Sequence, residues 1–355
     1  MPRGTLVLAL ALIGSAVIGG VAVAQGPAIG KPRPAPPGPT TLPPLPPAAI
    51  DDKLSIGGDD VNARQVETRM TVEVQVNGRG PYHFVVDSGA DTSAVGLRVA
   101  RDLQLPLGKP AILNAVTDRN IVDRVKVASL AFGPSSIHDL EVPALREADL
   151  GGDGMIGIDA LVRQRLMMDF ENRLIKVEDA SRPEPHYTDE IVITAKLRHG
   201  QLILTQVRAG GLSLNAVIDT GSEISIGNLA LRDKLLKSNR STKVWTVAAT
   251  GVTGKTVDLQ LGTIRELRVG SISLHNVPIA FADVPPFNVF GLADEPALLL
   301  GTDILETFRR VSLDFRARKV RFQLRRCQDE GIILSTAPTD FFTKLRATQA
   351  EACLR

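Results

Sequence analysis

Two short segments carry the residues best suited to chemistry. Phe84-Val-Val leads into Asp87-Ser88-Gly89-Ala90, and Ala216-Val-Ile leads into Asp219-Thr220-Gly221-Ser222. In both, an apolar run ends on a carboxylate followed by a hydroxyl residue and Gly. A carboxylate at the end of a buried strand is costly unless it has partners. Two of them in repeated settings point to carboxylates that meet at a pseudo-twofold axis. Close carboxyl groups cannot both ionise cheaply, so they share a proton, and one apparent pKa falls while the other rises. The charged member can then act as general base on a water held between them, and the protonated member can donate to a carbonyl oxygen. Gly lets each loop turn tightly and brings amides close to the carboxylate. The Ser or Thr hydroxyl can hydrogen-bond across to the other loop.

The elements that must position these residues are also written twice. Val72 to Gly80 and Leu202 to Gly211 each alternate like a strand and end in a Gly turn before the apolar run, a hairpin signal. Downstream, Met155-Ile156-Gly157-Ile158-Asp159-Ala160-Leu161 is followed by Met168-Asp169-Phe170. Its counterpart, Leu299-Leu300-Gly301-Thr302-Asp303-Ile304-Leu305, is followed by Leu313-Asp314-Phe315. The order is the same in both copies, and the second carries about a dozen extra residues between its two motifs. Between the motifs, residues 111–130 and 243–261 each read as strand, polar or Gly-rich tip, strand: a hairpin projecting from each copy. Helical periodicity is confined to short stretches such as 97–103, 159–165 and 229–236. The chain therefore reads as mostly β, in two homologous lobes.

These residues resemble the aspartic proteases of the pepsin and retropepsin superfamily. Asp87-Ser88-Gly89-Ala90 and Asp219-Thr220-Gly221-Ser222 match the family's active-site motif. Ile156-Gly157 and Leu300-Gly301 match its downstream hydrophobic-hydrophobic-Gly element, and Asp159-Ala-Leu161 and Asp303-Ile-Leu305 resemble a bacterial retropepsin-like branch. The resemblance spans about residues 65–325. It implies a bilobal acid-protease fold with pseudo-twofold symmetric lobes and short helices. It implies that Asp87 and Asp219 form a dyad hydrolysing peptide bonds with an activated water, without covalent intermediate, metal or cofactor. Ser88, Gly89, Thr220, Gly221, Gly157 and Gly301 would support the two loops. The flap tips would lie near Val116–Ile121 and Thr250–Lys255, so that Thr117, Thr250 and Gly251 join Ala90 and Ser222 around a peptide or protein substrate. Both lobes lie on one chain, as in pepsins, yet each is short, as in retropepsins. This makes a monomer the expected unit. Tyr82 and Tyr187 both lie outside the hairpins, so neither is a pepsin-type flap Tyr. The alternative reading is a catalytically silent scaffold that binds peptides or envelope partners.

The remaining sequence bounds these readings. A net charge of +2 lacks the basic excess of a nucleic-acid binder, and two Cys and five His offer no four-ligand zinc pattern. Arg3, the apolar run Leu6 to Ala24 and the small-x-small exit Ala22-Val23-Ala24 describe a signal peptide over residues 1–24. Export to a bacterial periplasm or medium follows. Membrane contact is expected only if that segment stays uncleaved as an anchor. Ten prolines between Pro27 and Pro47 mark residues 25–50 as a semi-rigid spacer. Asp51, Asp52, Asp59 and Asp60 read as its solvated end. The lobes are assigned to residues 51–185 and 186–326, with a tail at 327–355. In an oxidising compartment Cys327 and Cys353 could pair, closing a loop whose chain-entropy contribution is roughly 3 kcal/mol; in a reducing one they are free thiols. Asp159 and Asp303 read as first-turn helix residues, Asp169 and Asp314 as structural, and Asp91 and Glu223 as partners in a salt bridge or hydrogen bond. Trp245 reads as core or pocket wall, and His83 as a surface residue.

Overall fold

The computed structural model describes residues 28–36, 49–50, 59–66, 69–133, 135–181, 190–238 and 244–325. The expected signal peptide, Asp51, Asp52, the Cys327–Cys353 pair and the tail lie outside these residues.

Each copy begins with a tight hairpin. Strand Arg69–Val76 pairs antiparallel with Arg79–Val86, and Gln201–Ala209 pairs with Leu212–Ile218. The first turn places Asn77 and Gly78 at φ 52° and 71°, and the second places Gly210 and Gly211 at 53° and 86°. Two consecutive left-handed residues give a turn whose twist matches the strands it joins. The far ends of the second strands stop alternating because they are covered on both faces. Phe84-Val85-Val86 runs parallel to Gly154–Ile156, and Ala216-Val217-Ile218 runs parallel to Ala297–Leu300. Parallel strands buried on both sides need continuous apolar runs, which is why each motif Asp follows one.

The molecule is mostly β, with each lobe closed as a six-stranded barrel, so the two-lobed architecture expected from the resemblance is observed. The lobes share a sheet. Across it lie, in spatial order, Glu190–Thr194, Lys319–Gln323, Arg310–Asp314, Gln164–Asp169, Leu174–Asp179 and Asp59–Val66. The two central strands come one from each copy and are antiparallel, with Arg165 opposite Asp314 and Asp169 opposite Arg310. Asp59 and Asp60 are therefore not the end of a linker: they open a strand, pairing with Val177 and Lys176, that continues at Ala63–Val66 against Arg69–Val72. One apolar core runs through both lobes, from Val72 and Leu161 in the first to Leu204, Leu305 and Phe308 in the second. Phe308 and Phe322 meet with ring centroids 4.8 Å apart, and burying each such ring contributes about 1.5–3 kcal/mol.

The extra length of the second copy sits largely in its 282–296 connection, which carries the helix Pro285–Val289, whereas the matching connection 146–153 carries the shorter helix Glu147–Leu150. Proline in the first turn suits that helix, because the missing amide would have no intrahelical partner there.

The proline-rich segment is not wholly a free spacer. Residues Arg33–Pro34 add a strand to the edge of the first projecting hairpin, Ala111–Asn114 with Arg119–Val122. Ile29 packs against the main core, the Gly30 amide donates to Asp123 Oδ2 at 2.8 Å, and the Ala35 amide donates to the Arg119 carbonyl at 3.2 Å. An edge strand tolerates proline because one side of it needs no ladder donor. The two hairpins differ in support. The second returns on one long strand, Thr256–Val269, that continues into its lobe, whereas the first breaks at Asp123 before Arg124–Phe132 resumes. Asp123, which holds Gly30, is the join. Asp123→Ala is expected to speed amide hydrogen exchange across 111–122 at least several-fold while leaving 244–260 unchanged. Equal protection in variant and wild type would show that the segment does not brace the hairpin.

Candidate active site

The two Asp-Ser/Thr-Gly loops meet at the junction of the lobes. Ser88 and Thr220, 1% and 2% exposed, lock them together. The Ser88 amide donates to Thr220 Oγ1 at 2.9 Å, and the Thr220 amide donates to Ser88 Oγ at 3.2 Å. Each hydroxyl then donates to the carbonyl just before the opposite Asp: Thr220 Oγ1 to Val86 at 2.8 Å, and Ser88 Oγ to Ile218 at 2.9 Å. A hydroxyl can accept one bond and donate another. Only Ser or Thr at these positions closes the reciprocal set without leaving a buried donor unpaired.

Inside this clasp each carboxylate is held by its own loop. Asp87 Oδ1 accepts the amides of Gly89 and Ala90 at 2.8 and 3.0 Å, and Asp219 Oδ1 accepts those of Gly221 and Ser222, both at 3.1 Å. Each carboxyl abuts the other copy's loop, close enough for the Asp87 charge to act on Asp219. The glycines are dictated by this approach. A Cβ on Gly89 would lie 2.6 Å from the Asp219 carboxyl carbon, and one on Gly221 would lie 2.1 Å from that of Asp87. Burial pushes both carboxyls up. Burial first, and then the neighbouring Asp87 charge, push Asp219 to about 8. The shared proton accordingly sits on Asp219, and Asp87, favoured by two amides and by the nearby Arg69, carries the charge.

A second layer braces the loops from behind. The Asp87 amide donates to the Ile156 carbonyl at 2.9 Å, and the Asp219 amide donates to Leu300 at 3.0 Å. Ser93 Oγ donates to Asp159 at 2.7 Å and accepts the Gly157 amide at 3.0 Å. Ser225 Oγ donates to Asp303 at 2.6 Å and accepts the Gly301 amide at 2.9 Å. Asp159 and Asp303 lie in the first turns of Ile158–Leu161 and Thr302–Leu305, facing the loops rather than the cleft. Burial raises both, Asp303 to about 6. Ser93 and Ser225 were not singled out in the sequence, although each lies six residues beyond its motif Asp, a repeat that a longer internal match would have included.

A cleft of about 710 Å³ opens above the carboxylates. Ala90, Ser222, Thr117, Thr250 and Gly251 all line it, together with apolar walls from Met155, Ile226 and Leu299. The hairpin tips meet over it. Thr253 Oγ1 donates to Asp118 Oδ1 at 2.7 Å, and Gly251 abuts the Thr117 side chain, where a Cβ would come within 2.2 Å of Oγ1. The Ser222 hydroxyl donates to the Ile224 carbonyl at 2.7 Å, which leaves its oxygen only as an acceptor toward a ligand. Trp245, expected in the core or a pocket wall, is instead 44% exposed on a hairpin strand, because its register faces it outward. His83 is exposed.

A model of the family described as aspartyl protease matches residues 72–160 and 205–304, each segment holding one Asp motif and its downstream Gly. No curated protein matches the chain.

Proposed function

Because this chain belongs to the aspartyl protease family, we propose that it is a single-chain aspartic endopeptidase, active as a monomer and exported through residues 1–24. The observation that carries the reading is the meeting of Asp87 and Asp219, each carboxyl set against the other copy's loop, in the lining of a hairpin-covered cleft. Asp87 takes a proton from a water held between the carboxylates as its oxygen attacks the scissile carbonyl carbon. Asp219 donates to the carbonyl oxygen as negative charge develops there. The product is a neutral tetrahedral diol, with its proton pattern exchanged between the two carboxyls. Collapse returns a proton to Asp219 and passes the one on Asp87 to the departing nitrogen, breaking the C–N bond and restoring the starting state. Ser88 and Thr220 hold the loops in register, and the hairpins exclude bulk water.

The test is cleavage of a mixed peptide library from pH 3 to pH 8, followed by mass spectrometry. Cleavage should be blocked by a peptide carrying a secondary alcohol in place of the scissile amide, since that group imitates the diol. No cleavage at any pH, with the alcohol peptide still bound, would instead support the silent peptide-binding scaffold.

A further inference from the structure

The two ends of the cleft are built from the same parts but differ in charge. Four residues past each motif Asp stands an acid, Asp91 in the first copy and Glu223 in the second. Each reaches across to the first residue of a strand in the other lobe, Gln201 and Arg69 respectively. Arg69 and Gln201 are 132 residues apart, as are Asp91 and Glu223, and as are the paired Ser88 and Thr220. These are therefore pseudo-equivalent pairs. At one end the charges cancel: Arg69 Nη2 lies 2.7 Å from Glu223 Oε1, and Arg69 Nη1 donates to the Leu150 carbonyl at 3.2 Å. At the other end Gln201 Nε2 donates to Asp91 Oδ1, a neutral donor that satisfies one oxygen and leaves the charge in place. Arg198, opposite Gln201 in its hairpin, is committed to the Phe290 carbonyl. Burial raises the Asp91 carboxyl, and the Gln201 hydrogen bond and then His199, on the turn between Arg198 and Gln201, work against that rise. Asp91 lines the cleft, as do Val289 and Phe290 of the Pro285–Val289 helix region that Arg198 ties to this end.

A carboxylate in a cleft with apolar walls suits one class of substrate group. The aliphatic stem of Lys or Arg covers the wall while its head pairs with the acid. Resting on the peptidase reading above, we propose that Asp91 forms a specificity subsite for a basic substrate side chain. The subsite lies on one side of the scissile bond only, because Arg69 has closed its pseudo-equivalent at Glu223.

The experiment is cleavage-site profiling of wild type, Gln201→Arg and Asp91→Asn on one peptide library. It is read as the ratio of kcat/KM for matched peptides with Lys or neutral Gln at the selected position. Wild type should favour Lys about tenfold, within the range of a charge-assisted hydrogen bond. Both variants should bring the ratio close to one, Gln201→Arg by cancelling the charge as Arg69 does and Asp91→Asn by removing it. Loss of folded protein lowers both rates together and leaves the ratio of the remaining active molecules at the wild-type value, so the ratio separates specificity from structure. A wild-type profile that cleaves peptides with no basic preference, or with one that both variants retain, overturns the subsite and leaves the peptidase standing. An absence of any cleavage overturns both.

Discussion

Asp219→Asn should lower kcat/KM by about 10³-fold or more and yet raise the unfolding temperature at pH 7 by about 4–8 °C. Both effects have one cause. The raised pKa of Asp219 means that the folded protein holds a proton the unfolded chain has already released. For an acid shifted upward the sign is fixed. The folded state carries no penalty below about pH 3.8, and stability is lost progressively as pH rises toward about 8. At pH 7 this amounts to a strain on the order of 4 kcal/mol. Asn imitates the protonated form: its oxygen can still accept from Gly221 and Ser222, and its NH₂ can still donate to Asp87. It cannot give up a proton, so recovery of about half the strain comes with loss of chemistry. The measurements are peptide hydrolysis and thermal unfolding of both proteins from pH 4 to pH 8. The stability gap should narrow as pH falls. A variant less stable than wild type at pH 7, or a gap independent of pH, would contradict the assigned proton. Wild-type activity should also fall above about pH 8, where the pair loses its shared proton, and again in acid, where Asp87 takes up a second one.

Arg165→Met is expected to destabilise the protein by about 3–5 kcal/mol, the range for a buried charge left without its partner. Arg165 Nε lies 2.8 Å from Asp314 Oδ2, with the two side chains 5% and 2% exposed. The pseudo-symmetric pair, Arg310 Nε with Asp169 Oδ2 at 2.6 Å, crosses the same two central strands in the opposite sense. Burial pushes Asp169 up, but the Asn172 amide and the Arg310 guanidinium together outweigh it and hold its carboxyl below the usual range. The two pairs tie one lobe to the other across the two central strands of the shared sheet. The double replacement Arg165→Met with Asp314→Leu should recover most of the loss, because no fully buried charge is then left unpaired; Glu178, which Arg165 also meets at 3.2 Å, is part-exposed and keeps access to water. Arg232→Met, which breaks a pair with the exposed Asp233, should change stability by less than about 1 kcal/mol. Urea unfolding midpoints of the three proteins check this. Equal, small shifts for Arg165→Met and Arg232→Met would remove the inter-lobe clamp from the account.

Features encoded within a few residues of one another are legible in the sequence. The apolar runs before Asp87 and Asp219, the paired turn residues, the hydrophobic-Gly elements and the two projecting hairpins each carry their own local signature. Repetition multiplied the signal, since a tripeptide that recurs by chance does not recur with its downstream partners in order. Asp169 and Asp314 could be read as structural from their matched settings, but their partners Arg310 and Arg165 could not, because those lie on the other copy. Ser93 and Ser225 are not legible this way, since a buried Ser has no periodic signature of its own. The strand formed by Arg33–Pro34 ran against composition: a proline-rich segment is expected to stay extended and unpaired, and only the open edge of the first hairpin makes it a strand.

Residue order alone makes the chain mostly β, writes one lobe twice, and puts one carboxylate at the same place in each copy. These are consequences of hydrogen-bonding period, turn sterics and duplication, all of which act along the chain. The tertiary structure alone decided what passes between the copies. It set which carboxylate keeps the proton, how the hairpin tips meet, and that Glu223 meets the cation Arg69 while Asp91 meets only the neutral donor of Gln201. Those outcomes depend on burial and on distances of a few ångströms between residues 132 positions apart. Electrostatic energies at that range depend on geometry and solvent exclusion, which residue order does not express.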